Sequence, residues 1–244
     1  MDLFYAVPAD CSITTVILRA DEFHHCIRVL RKRIGDEVMV TDGAGNLYRT
    51  TIAQIENDFA VARVVDVQKN YHESSLRVTL AIGLLKNPSR MEFAVEKCTE
   101  IGVETFIPLH TSRVISRKVK INRWNNIVLA AMKQSCRTIL PSVSLIQQFG
   151  AMLTASSHFG VKLIAYEAVE NSTNILSVMN KNAGASSAIV CIGPEGGFTE
   201  EEIRQAMAAG FVPVSLGQRR LRSETAAVVA ASLILSSTHL GSRR

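Results

Sequence analysis

Ile192-Gly193-Pro194-Glu195-Gly196-Gly197-Phe198-Thr199-Glu200-Glu201-Glu202 is the stretch that decides the fold class. The apolar run Ala188 to Ile192 ends in a glycine-rich turn, and Thr199 with Glu202 then forms the Thr-x-x-Glu box that opens a helix. A second segment, Leu216-Gly217-Gln218-Arg219-Arg220-Leu221-Arg222-Ser223-Glu224-Thr225-Ala226, again joins an apolar run, Val212 to Leu216, to a helix. In an open α/β sheet, ligands sit at the carboxyl ends of the strands. Glycines let a backbone come close to a ligand and adopt positive φ. The two turns therefore predict one small-molecule pocket walled largely by backbone. A tight strand-to-helix turn that merely needs glycine accounts for the first segment alone equally well. Its acidic first turn, Glu200 to Glu202, complements the helix dipole and disfavours an anionic ligand, which points away from ATP and towards a neutral or cationic one.

Upstream the same alternation continues. Val78 to Leu85 is an apolar strand, and Pro88 precedes Ser89-Arg90-Met91-Glu92, a second capping box. Its helix turns Met91, Val95, Cys98 and Ile101 inward and stops at Gly102. Thr105 to Leu109 and Lys162 to Tyr166 are further strands. Asn122 is expected to cap a helix with Trp124, Ile127, Val128, Ala131 and Met132 on one stripe. Gly210 ends the helix that Thr199 begins, and an Ala-rich apolar helix runs from about Ser223 to His239. This order predicts a mostly parallel sheet with helices on both faces.

The first part of the chain reads differently. Asp36 to Thr41, Leu47 to Ile55 and Phe59 to Val67 are short strands joined by turn chemistry at Asp42 to Asn46 and Asn57-Asp58, which predicts a small β-barrel. Asp21 to Leu30 is expected as a helix, capped by Asp21, with Phe23, Cys26, Ile27 and Leu30 on one face. The polar, aperiodic Gln68 to Ser75 marks a boundary, giving domains 1–72 and 73–244.

Composition narrows the function classes. No apolar stretch reaches a membrane span and no secretory signal is evident, so no membrane partner is expected. The five cysteines are scattered without CxxC spacing, which argues against zinc and disulfides and for a reduced, cytoplasmic protein. The histidines show no ligand spacing, and His24 and His25 are read as surface or RNA-adjacent residues rather than ligands; no metal is expected. There is no P-loop, no GxGxxG after a strand, no HExxH and no GxSxG. Net charge is +5, but no acidic residue lies between Glu104 and Glu167, while Arg113, Arg117, Lys118, Lys120, Arg123, Lys133, Arg137 and Lys162 do. Such a single-sign stretch predicts a phosphate-facing surface; the plainer reading is a basic face that aids solubility. Arg28, Arg31, Lys32 and Arg33 form a dense basic cluster expected to meet RNA backbone. Arg219, Arg220 and Arg222 stay protonated, so none serves as a base, but they can hold phosphate or stabilise developing negative charge.

The two opening segments resemble the signature segments of the bacterial small-subunit ribosomal RNA uridine-N3 methyltransferases, members of the SPOUT class. The resemblance covers nearly the whole chain: His25 to Arg31 with Gly35-Asp36 and Asp42-Gly43, Lys86 with Arg90 to Glu92 and Glu100 to Val103, and Gln134 to Arg137 with Pro141 follow in the family's order. It implies a PUA-like N-terminal barrel, a C-terminal α/β domain threaded as a trefoil knot, and a homodimer. It implies S-adenosylmethionine as cofactor, held by Tyr166, Glu167, Gly193, Pro194, Glu195, Gly196, Gly197, Leu216, Gly217, Leu221, Arg222 and Ala226. Small-subunit ribosomal RNA, free or assembled, would meet Arg28, Arg31, Lys32, Arg33, Lys86, Arg90, Arg113 and Arg219. Arg222 is the candidate for stabilising charge on the uracil ring or positioning the adjacent phosphate, with Arg137, from the same subunit or across the dimer, as the second. The proton acceptor is open among Glu195, Glu224 and water, Glu224 being read rather as a first-turn carboxylate serving its own helix. Arg220, Ser223 and Lys133 depart from the usual pattern. A SPOUT enzyme acting on another RNA or atom, and a non-catalytic ribosome-assembly protein, are the competing readings.

Overall fold

A computed structural model describes residues 2–114, 120–166 and 173–240, the last three by backbone alone. The chain divides into two compact units, Met1–Glu73 with Leu129–Leu140, and Ser74–Val128 with Pro141–Arg244.

The first unit is built on a curled five-stranded sheet. Its elements are β1 (Leu3–Tyr5), β2 (Thr15–Arg19), a short helix α1 (Ala20–Phe23) that continues as a π-helical turn to Val29, β3 (Glu37–Thr41), β4 (Asn46–Ile55) and β5 (Phe59–Lys69). The strand order is β1-β3-β4-β5-β2. The pairings are antiparallel except for β1 with β3. Register shifts at Arg49/Thr50 and Ile52/Gln54 mark the bulges that bend such a sheet. Phe4, Val16, Leu18, Val38, Val40, Tyr48 and Ile52 fill its core.

Two of the five strands, β1 and β2, escape the sequence reading. The helix is also capped differently: Arg19, not Asp21, precedes it, and no side chain caps it. Its expected inner face holds. Phe23 and Cys26 are buried, and Ile27 and Leu30 pack against the core.

The second unit alternates strands and helices, as the chain pattern predicts. In order come β6 (Arg77–Gly83), α2 (Pro88–Ile101), β7 (Thr105–His110), α3 (Ile121–Gln134), β8 (Ser142–Val143), β9 (Gln147–Gln148), α4 (Phe149–Ala155), β10 (Val161–Ala165), β11 (Thr173–Asn174), α5 (Ile175–Lys181), β12 (Ser187–Ile192), α6 (Glu200–Ala208), β13 (Val212–Ser215) and α7 (Ser223–Leu240). The last turns of α3 group with the first unit.

Order along the sheet is β11-β13-β10-β12-β6-β7-β8, with β9 also on β7. Every one of these pairings is parallel. Parallel strands covered on both faces read as continuous apolar runs, and β12 is buried at all of its six positions. Ala81, Ile107, Leu109, Ile164, Ile189 and Cys191 meet Phe149, Met152, Leu153, Ile203 and Ala206 of α4 and α6. By alternation Leu80, Ile82 and Val190 face the other way, where α7 lies on β6 and β12 beside α2 and α5.

Two helix starts differ from expectation. Asn87, not Ser89, caps α2: its side chain accepts from the Ser89 N–H at 2.9 Å, with Pro88 in the first turn. α3 begins at Ile121, so Asn122 sits inside its first turn. After β13 the chain returns as α7, which lies on β12 and β6. Glu167, at the start of the link from β10 to β11, lies outside the described residues.

Candidate functional site

β13, β10 and β12 lie side by side and parallel, so the turns that leave their carboxyl ends come together at one end of the sheet. The glycine turn is held from several sides. Gly197 N–H donates to the Pro194 carbonyl at 2.8 Å, and Gly197 takes φ +67°, the left-handed region. A Cβ on Gly193 would lie 3.0 Å from Gly197 Cα. At the end of the neighbouring β6, a Cβ on Gly83 would lie 2.5 Å from Pro194 Cδ and 2.6 Å from its nitrogen. The turn thus rests on β6 through a contact only glycine permits. Glu195 Oε1 accepts from the Lys86 N–H at 3.0 Å, and Arg113 Nη1 donates to the Gly196 carbonyl at 2.6 Å.

The helix start behind this turn is a full capping box. Thr199 Oγ1 accepts from the Glu202 N–H at 3.1 Å, and Glu202 Oε2 accepts from the Thr199 N–H at 2.8 Å. The other oxygen of Glu202 accepts from the Ser112 N–H at 2.8 Å, which ties the loop after β7 to the same place. Glu202 is buried, and these bonds satisfy it.

The arginine turn is more open. Gly217 takes φ +118°, and its N–H donates to Ser215 Oγ at 3.2 Å. Gly217, Gln218, Arg219, Arg220 and Arg222 are exposed. α7 begins at Ser223, with Ala226 N–H on the Arg222 carbonyl at 2.8 Å, so Arg222 itself stands at the cap. Ser223 and Glu224 are buried in the first turn.

These turns enclose a cavity of about 620 Å³. Its apolar lining comes from Ala165, Ile192, Phe198, Val214, Leu216, Leu221 and Ala226, with Tyr166 beside them. Gly193 to Gly197 form one wall. Charged side chains of both signs, Arg90, Arg113, Arg220 and Arg222 with Glu195 and Glu200, complete it. An apolar bed with a backbone wall and mixed charges fits a flat ring system carrying a zwitterionic tail.

Of the residues expected to hold the cofactor, Tyr166, Gly193 to Gly197, Leu216, Leu221, Arg222 and Ala226 line this one cavity. Gly217 shapes the turn without lining it, and Glu167 lies outside the described residues. Arg90 and Arg113, expected on the RNA side, line the cavity as well. Arg219 is exposed and does not line it; Lys86 is exposed, and its backbone steadies Glu195. Sequence reasoning had Arg220 among the arginines able to hold phosphate and Glu200 in the acidic helix start, but passed over Ala165, Ile192 and Val214 on the strands. Position at the end of a strand was the available signal for these last three.

Among the described residues, the acid-free stretch between Glu104 and Glu167 meets counter-charges in space; Arg117 and Lys118 lie outside them. Arg123 pairs with Glu92 at 2.5 and 2.7 Å, Lys133 with Glu22 at 2.5 Å, and Lys162 Nζ donates to the Ala209 carbonyl at 2.6 Å. Arg137, in the first unit, is 4% exposed. Its Nε and Nη2 donate to Glu73 Oε2 at 3.2 and 2.9 Å. Glu73 Oε1 meanwhile accepts from the Thr138 and Ile139 N–H groups at 2.7 and 2.9 Å. The pair therefore pins the segment after α3, and Arg137 is not among the residues lining the cavity. In the same unit Arg28, Arg31 and Arg33 are exposed, while Lys32 Nζ donates to the Glu37 carbonyl at 3.3 Å.

Burial pushes the thiols of Cys26 up to about 11 and Cys98 up to about 12, and that of Cys191 further still. None of the three lines the cavity, so none offers it a thiolate nucleophile. No group of three or more His, Cys, Asp or Glu among the described residues could hold a metal ion. No helix among them is long and apolar enough to cross a membrane.

Residues 72–235 match the RNA methyltransferase domain family, and residues 18–65 match the RNA methyltransferase PUA domain. Over 226 residues the chain is 37% identical to the ribosomal RNA small subunit methyltransferase E of Synechocystis, covering 90% of this chain and 72% of that protein. The Bacillus subtilis protein of the same name is 29% identical over 235 residues, covering 93% and 91%. A Neisseria gonorrhoeae ribosomal RNA small subunit methyltransferase E, solved bound to S-adenosyl methionine, is similar with a TM-score of 0.85 at 31% identity over 97% of each chain. A Legionella pneumophila structure in complex with the bound cofactor S-adenosylmethionine is similar with a TM-score of 0.82 at 27% identity, covering 97% and 98%.

Proposed function

Because the chain belongs to the RNA methyltransferase family, with that family's PUA domain ahead of it, we propose that it methylates N3 of one uridine in small-subunit (16S) ribosomal RNA. It is an S-adenosylmethionine-dependent methyltransferase of ribosomal RNA; the choice of uridine and of N3 is the finer part of the proposal. The observation that carries it is the convergence of the turns at 193–197 and 216–222 on one cavity.

The residues present suit the cofactor. Ile192, Val214, Leu216, Leu221 and Ala226 offer an apolar bed for an adenine ring. The wall at Gly193, where a Cβ would meet Gly197, lets backbone groups reach the ligand directly. Glu195 and Glu200 set against Arg113 and Arg220 match a ligand with cationic and anionic groups. Bound there, the sulfonium supplies a methyl group already activated for transfer.

The chain must then make uracil N3 a nucleophile, which requires its proton to pass to Glu195, which lines the cavity, or to water. We assign to Arg222, exposed and lining the cavity, the stabilisation of negative charge on the uracil oxygens. Arg137, given to Glu73 in the first unit, is assigned instead to holding the segment after α3. The exposed arginines 28, 31 and 33 would hold RNA backbone, which positions a substrate without selecting a base. The working form is proposed as a cytoplasmic homodimer.

The test is methyl transfer from labelled S-adenosylmethionine to small-subunit RNA, free and assembled, followed by mass spectrometry of the nucleosides. The expected product is N3-methyluridine. Label on a ribose 2′-oxygen would mean another member of the class. Cofactor-binding heat of zero, with RNA still bound, would mean a ribosome-assembly protein.

A further inference from the structure

Two charged side chains at the cavity hold each other, and neither has another hydrogen-bond or ion-pair partner among the described residues. Arg90 is the third residue of α2, and Glu224 the second of α7. Arg90 Nε lies 3.5 Å from Glu224 Oε1. Arg90 lines the cavity with its side chain 36% exposed; Glu224 does not line it and is 11% exposed.

A carboxylate buried to this degree costs free energy unless a cation faces it. The pair is not required to join the two helices, since Gly102 and Leu235 already meet between them further along. The contact is an ion pair at Nε without a hydrogen bond; it keeps the guanidinium beside Glu224 and leaves the two terminal nitrogens without a protein partner among the described residues. Its remaining N–H groups keep the planar fork that suits a pair of oxyanion oxygens. The apolar lining at Ile192, Val214, Leu216 and Leu221 offers an anion no partner, which leaves it to the cavity's arginines.

Resting on the reading above, we propose that Arg90 binds a phosphate of the RNA beside the target base, and that Glu224 is the positioning residue that holds Arg90 for it. Glu224 is thereby a partner of Arg90, not a proton acceptor in the reaction.

The experiment uses the full chain with small-subunit RNA, in the variants Arg90→Ala, Arg90→Lys, Glu224→Gln, Glu224→Asp and the double Arg90→Ala/Glu224→Gln. Filter binding over a salt series, steady-state methylation and calorimetry with S-adenosylhomocysteine are read on each. Arg90→Ala should weaken RNA binding and raise KM for RNA about tenfold, and lower the salt slope by about one. Its cofactor affinity should stay within about twofold, since Arg90 serves the RNA and not the cofactor. Glu224→Gln should shift KM in the same direction by about fivefold and be largely rescued by Asp, with the double no worse than Arg90→Ala.

Losses that multiply in the double variant would show that Glu224 acts without Arg90 and overturn the positioning role. Unchanged RNA binding with weakened cofactor binding would assign the anion to the cofactor's carboxylate and overturn the RNA assignment. If the unmodified chain transfers no methyl, the proposed activity fails; the binding and salt series still decide the role of Arg90.

Discussion

The glycine turn and the arginine turn wall the same cavity but are built in opposite ways. At 193–197 the backbone is fixed by its own turn bond, by the Cβ-free contact of Gly83 with Pro194, by Glu195 on the Lys86 N–H and by Arg113 on the Gly196 carbonyl. At 216–222 Ser215 Oγ shapes the bend, accepting from the Gly217 N–H and donating to the Gly217 carbonyl, and the arginines stand in solvent. The first turn is a preformed backbone wall for the cofactor; the second adds Leu216 and Leu221 to the same cavity and holds its arginines out to a partner that arrives later. Displacing the backbone of the first should therefore spoil cofactor binding, and removing an arginine of the second should spoil turnover.

The largest effect is expected from Arg222→Ala. Removing a charge-stabilising donor should lower turnover about 100-fold while cofactor affinity, read by calorimetry, holds within about twofold. Equal loss of both would give Arg222 to the cofactor and not to the uracil. Gly83→Ala attacks the other side without touching the ligand. Its Cβ would press on Pro194 at 2.5 Å, and the displaced turn should bind S-adenosylhomocysteine about 100-fold more weakly. Gly217→Ala is its control: nothing lies within 4 Å of the new Cβ, so only the φ of +118° is strained and cofactor affinity should change far less.

Replacing Arg28 and Arg31 together by Ala should weaken RNA binding about tenfold and reduce its salt slope by about two, leaving cofactor binding alone. An unchanged slope would remove both from the RNA surface. The smallest effect is that of Thr199→Ala, which removes one half of the capping box. It should cost about 1 kcal/mol, a fall in Tm of roughly 2–4 °C by calorimetric scanning.

The same contrast explains what could be read from the chain. The strand-turn-helix units around residues 192 and 216 announced themselves because both sheet faces are buried and glycine is needed where the backbone bends. Thr199 with Glu202 proved a true capping box, since both side chains face the same helix start. Ser89 with Glu92 has the same spacing, yet Asn87 caps that helix and Glu92 turns instead to Arg123. A local pattern cannot report a partner that lies 31 residues away. The same limit hid β1 and β2, three and five residues long, which are strands only because β3 and β5 lie beside them. It also made the basic stretch look uniform, because its counter-charges Glu22, Glu73 and Glu92 come from distant sequence. Within the cavity, glycines and arginines were legible; Ala165, Ile192 and Val214 were not, being ordinary strand residues until the sheet order sets them side by side.

Amide hydrogen exchange with and without S-adenosylhomocysteine tests most directly that these two turns close on one ligand. The account predicts that residues 193–197 and 216–222 gain protection together, at one saturating concentration, with little change in the first unit. Protection confined to a different part of the sheet, or gained by one turn and not the other, would contradict it.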